Sequence, residues 1–62
     1  MKYTLKELRA RNAETQADTA KAVGVSTTTY NAWEKDLSKV SIRKVAALCE
    51  HFGVSLNDIS FS

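Results

Sequence analysis

The sequence predicts an all-α fold, a compact arrangement of five short helices. Three observations carry that prediction. There is no proline, and the only two glycines, Gly24 and Gly53, each follow an apolar helical pattern. That is where a left-handed helix cap needs a residue without a Cβ. Helix-start signals recur along the chain, and no segment shows the strict apolar–polar alternation of a strand.

Each helix has its own start. Thr4 and Glu7 have capping-box spacing, with Tyr3 and Leu8 placed as a hydrophobic staple, so a first helix is predicted over 5–12. Thr15 and Asp18 repeat the box before a second helix over 16–23, which stops at Gly24. Ser26, with the staple Val25–Tyr30, opens a third helix over 27–35. Ser41, with Val40–Val45, opens a fourth over 42–52, ended by Gly53. Ser55 with Asp58 and Val54–Ile59 predict a short fifth helix over 56–60 that depends on packing. The candidate core follows helical spacing: Leu5 and Leu8; Ala17, Ala20 and Val23; Tyr30 and Trp33; Ile42, Val45, Leu48, Cys49 and Phe52.

Composition narrows the class. The 62 residues leave room for one small domain, taken here as residues 1–62. One cysteine forms no intramolecular disulfide, and no Cys–His cluster calls for a metal or other cofactor. The longest apolar run, Val45 to Cys49, is far short of the ~20 residues that span a bilayer. The first residues lack the apolar stretch of a signal peptide, so a cytoplasmic location without membrane association is expected. No nucleophile–base arrangement or glycine-rich phosphate loop is present, so no enzymatic activity is expected.

The net charge of +2 is mild, and its distribution says more. Lys35, Lys39, Arg43 and Lys44 lie within ten residues, opposed only by Asp36. Just before them, two short helices meet at a tight turn containing Gly24, which makes them cross at a wide angle. This is a helix-turn-helix pattern. On a wheel of 100° per residue, Tyr30 and Trp33 point inward, while Thr27, Thr28, Asn31, Ala32 and Lys35 occupy an opposite arc of about 140°. That arc holds no bulky apolar residue and no acid, as a helix approaching base edges and phosphates requires.

With these residues the chain resembles the Cro/phage-repressor-like, or xenobiotic-response-element, family of helix-turn-helix regulators. The resemblance runs from Leu5-Lys6-Glu7-Leu8-Arg9 to Leu56-Asn57-Asp58-Ile59. It is carried by Thr15-Gln16, Ala20, Val23-Gly24-Val25-Ser26, Trp33-Glu34 and Phe52-Gly53-Val54-Ser55-Leu56. It implies a five-helix domain of the lambda-repressor-like type that binds double-stranded DNA in the major groove. Gln16 would hold a phosphate, and Thr27, Thr28 and Ala32 would face bases. Arg9 and Glu34 would form a salt bridge between the first and third helices, and Lys35, Lys39 and Arg43 would run beside the DNA backbone. Two departures stand out. Thr27, Thr28 and Ala32 replace the glutamines or arginines that give bidentate base contacts. Asp36 and Leu37 replace a glycine and a basic residue after the third helix.

Each assignment has a plainer alternative. The alternative for Gln16, Thr27, Thr28, Asn31 and Ala32 is solvated positions, and for the lysines and arginine an ordinary charged surface. Cys49 reads as a packed core thiol rather than a redox sensor. His51 reads as a solvated side chain favoured by the helix C-terminus. Leu56, Ile59 and Phe61 either form an apolar patch through which two copies pair, or close the core. Two functions follow: a DNA-binding regulator, a repressor acting as a homodimer, or an antirepressor or antitoxin module that uses the same fold on a partner regulator protein.

Overall fold

The computed structural model describes residues 2–61. It contains four α-helices, α1 (Leu5–Arg11), α2 (Gln16–Ala22), α3 (Thr27–Lys35) and α4 (Ile42–Phe52), followed by a single 3-10 turn, Leu56–Asp58. The starts follow the local chemistry. Thr4 and Thr15 accept from the backbone N–H groups of Glu7 and Asp18, whose carboxylates bind the cap N–H groups in return. Ser26 and Ser41 cap α3 and α4.

Three helix ends share one termination. After α4, Val54 N–H bonds the Cys49 carbonyl and Gly53 N–H bonds Glu50, with Gly53 left-handed at φ 69°. After α2, Val25 bonds Ala20 and Gly24 bonds Lys21, with Gly24 at φ 78°. These are Schellman closures, and the positive φ explains both glycines. After α1, Glu14 bonds Arg9 and Ala13 bonds Ala10 in the same way, but the left-handed residue is Ala13 at φ 53°.

The expected fifth helix is corrected. Only Leu56–Asp58 winds, as a 3-10 turn, and the chain then extends. Ile59 forms a parallel bridge with Tyr3, through Tyr3 N–H to the Asp58 carbonyl and Ser60 N–H to the Tyr3 carbonyl. This pairing between the two ends of the chain takes the backbone groups that further helical turns would have used.

The core joins Leu5, Leu8, Ala20, Tyr30, Leu37, Val45, Leu48, Cys49 and Ile59. Cys49 is packed there, and burial pushes its thiol up, away from the reactive thiolate. Trp33 packs partly buried, edge-on to Tyr30 at 6.4 Å between ring centroids. Two expectations fail. Ala17 is exposed, because α2 buries Thr19 and Ala20 instead. Ile42 is 62% exposed, since the core contacts of α4 begin one turn later at Val45. Leu37, which the helical spacing did not mark as core, is buried as well. Among the described residues no helix is long and apolar enough to cross a membrane.

Candidate nucleic-acid interface

The interface is built around the contact of α2 with α3. Small Ala20, fully buried, allows the close approach, and the fully buried Tyr30 of α3 belongs to the same core. This packing turns Thr27, Thr28 and Ala32 outward, and all three are exposed. Lys35, Lys39 and Arg43 are exposed as well.

Beneath this face a chain of hydrogen bonds fixes the polar side chains. Arg9 donates from Nε to Glu34 Oε2 at 2.6 Å and from Nη2 to Oε1 at 3.3 Å, the expected bridge between α1 and α3. Its remaining arm donates to the Glu14 carbonyl at 3.0 Å. Glu34 Oε1 also accepts from Gln16 Nε2 at 3.0 Å, and Gln16 Oε1 accepts from Asn31 Nδ2 at 3.2 Å. Burial alone would raise the Glu34 carboxyl, but the donors from Arg9 and Gln16 hold it below its usual range. Glu34 therefore stays ionised, with its charge spent on internal partners. Among the described residues the Tyr30 hydroxyl, buried beside this pair, has no hydrogen-bond partner, and burial pushes its ionisation far upward.

Asp36, the one acid in the basic segment, is also occupied. Its carboxylate accepts from the Ser38 hydroxyl at 2.7 Å and from Ser38 N–H at 2.9 Å, which lowers its pKa. The helix termini add to this pattern. α1 and α2 carry Glu7 and Asp18 in their first turns, whereas α3 and α4 carry no acid there. The partial positive charge at the starts of α3 and α4 is thus uncompensated by a carboxylate.

Of the residues singled out from the sequence, Gln16, Asn31, Arg9 and Glu34 come together in one network, and Thr27, Thr28, Ala32 and Lys35 share α3. Lys39 lies in the following loop and Arg43 in the first turn of α4. One group escaped the sequence. His51 is not free in solvent: its Nε2 lies 2.9 and 3.0 Å from the Glu14 carboxylate oxygens. Glu14 Oε1 also accepts from the fully buried Thr19 hydroxyl at 2.5 Å. The 37-residue separation of Glu14 and His51 left no local signal to find the pair.

The packed pair α2 and α3, the capped start of α3 and its acid-free outer face define a helix-turn-helix domain of the DNA-binding regulator type. A family model described as helix-turn-helix matches residues 5–59, and the chain belongs to that family, the Cro/phage-repressor-like helix-turn-helix domains. No curated protein and no solved structure gives a significant match to the chain.

Proposed function

We propose that this protein is a sequence-specific double-stranded DNA-binding regulator, acting as a repressor by occupying its operator. The observation that carries this reading is the exposed, acid-free face of Thr27, Thr28 and Ala32 at the start of α3. α3 lies in the major groove, with the threonines offering one hydroxyl and one methyl each to base edges. Gln16 holds a phosphate with the amide hydrogen that Glu34 leaves free, and Asn31 orients that amide through its carbonyl oxygen. Lys35, Lys39 and Arg43 neutralise phosphates alongside. The whole chain acts as one binding unit and pairs as a homodimer, so that two α3 helices meet half-sites about one turn (~34 Å) apart.

One observation favours a second reading, a module that binds another regulator protein. The two longest amides near the face, Gln16 and Asn31, are already bonded to each other, and the remaining small side chains offer no bidentate base contact. Selection from a randomised duplex pool at about 0.1 M salt separates the two. Enrichment of a two-fold symmetric site supports the regulator. A folded protein that enriches nothing sends the search to protein partners.

A further inference from the structure

The hydrogen-bond network does not stop at the proposed DNA face. From Asn31 and Gln16 it runs through Glu34 and Arg9 to the Glu14 carbonyl, and from the Glu14 carboxylate to His51 on α4. Glu14 stands two residues before Gln16, in the turn that sets where α2 begins. Its carboxylate is held from three sides, by Thr19 of α2 at 2.5 Å, Asn12 of the turn at 3.4 Å and His51 of α4.

We infer that Glu14 and His51 form a proton-operated tie that positions the start of α2, and through Gln16 and Asn31 couples DNA affinity to pH. The inference rests on the DNA-binding reading for its output, not for the tie itself. Imidazoles change charge between about pH 5 and 8. Protonated, His51 meets Glu14 as a charge-assisted hydrogen bond; neutral, it keeps at most an ordinary one. Glu14 remains ionised throughout that interval, since the Thr19 hydroxyl, then His51, holds its carboxyl below the usual range.

The surroundings of His51 leave Glu14 as its principal partner. Glu14 faces it from the α1–α2 turn, with Arg9 behind, bound to the Glu14 carbonyl. Ala22 and Val23 of α2, and Ala47 with Glu50 on its own helix, line the shallow cleft around it. The ring meets Phe52 edge-on at 4.9 Å between centroids. Arg9 binds the Glu14 carbonyl and the Glu34 carboxylate together, so movement of the turn reaches Gln16 by two routes, the backbone and Glu34.

The test uses the full chain, in wild-type, Glu14→Gln and His51→Gln forms. The side-chain amide NMR signals of Gln16 and Asn31 are followed from pH 5 to pH 8 without DNA. The expected result is a single titration in the wild type that both variants abolish. Signals that stay fixed in the wild type, or titrate unchanged in Glu14→Gln, overturn the coupling. Affinity for a mixed-sequence duplex at about 0.1 M salt gives the output, with an expected loss of about three- to tenfold as pH rises. Glu14→Gln keeps the imidazole and its charge. If it retains the full pH dependence, general attraction to DNA explains the effect and the tie is overturned. Titrating amides with no duplex binding at any pH leave the tie standing and overturn the DNA-binding reading instead.

Discussion

Gln16 and Glu34 are joined at 3.0 Å, so the first residue of α2 is fixed to the last turn of α3 by the same carboxylate that binds Arg9. The Glu34 side chain is 8% exposed and that of Arg9 18%. Removing the carboxylate strands a largely buried guanidinium and releases the Gln16 amide together. Glu34→Ala is therefore expected to cost about 2–4 kcal/mol, read from urea unfolding. A cost below about 0.5 kcal/mol, the level of an exposed pair, would contradict this account.

The depressed carboxyls of Glu14 and Glu34 set the acid limit. A group whose folded pKa lies below its unfolded value adds stability that is full above the unfolded value. That stability is lost as pH falls through the folded one. Thr19 first, then His51, lowers Glu14, and donors from Arg9 and Gln16 outweigh the burial of Glu34. Stability should hold down to about pH 4 and fall below it. Circular dichroism across pH 2 to 6 checks this, and Glu14→Gln and Glu34→Gln should flatten the acid limb.

Ala13 offers a stabilising change. It occupies, at φ 53°, the position that Gly24 and Gly53 hold in the matching closures of α2 and α4. A Cβ in the left-handed region costs ~1 kcal/mol or more, partly offset by the greater freedom glycine gives the unfolded chain. Ala13→Gly should raise the Tm by a few degrees, about 2–5 °C. An unchanged or lower Tm in a calorimetric scan would refute the claim of strain.

Much of this architecture is legible because it is local. Thr4 with Glu7, Thr15 with Asp18, and the two glycines are read within four residues of their partners, and each acts where its spacing places it. The Arg9–Glu34 bridge became legible only through the family resemblance, since 25 residues separate the partners. Features set by distant packing were not readable. The Tyr3–Ile59 bridge turned a helical start at Ser55 into a single 3-10 turn. Thr19 is polar and Leu37 lies in the loop after α3, so neither was marked as core, and Ile42 keeps the helical spacing while lying past the end of the core. His51 looked solvated because its partner lies on the α1–α2 turn.

The end of the chain separates fold from assembly. Ile59 is fully buried, so it closes the core and is not available to a partner, whereas Leu56 is 43% exposed. Ile59→Ala should cost about 2–4 kcal/mol through the cavity it leaves. Leu56→Lys should leave stability within about 0.5 kcal/mol. If two copies pair through this end, Leu56→Lys also shifts sedimentation to monomer and weakens binding to a two-fold site. Unchanged sedimentation and binding would place the pairing surface elsewhere.

The proposed phosphate and base contacts differ in how they respond to salt. Each cation that neutralises a phosphate releases a counterion, so its removal lowers the slope of log affinity against log salt by about 1. Lys39→Ala and Arg43→Ala should each reduce the slope by about that amount and weaken all sequences alike. The exposed Thr28 carries no charge, so Thr28→Ala should leave the slope unchanged. Its effect should fall on selectivity instead, with about three- to tenfold less discrimination at one position of the selected site. Binding isotherms at several salt concentrations, on selected and scrambled duplexes, measure both quantities. A Thr28→Ala variant with intact selectivity would move base readout away from the start of α3. Unaltered slopes for both cation variants would take the loop after α3 and the start of α4 off the DNA backbone.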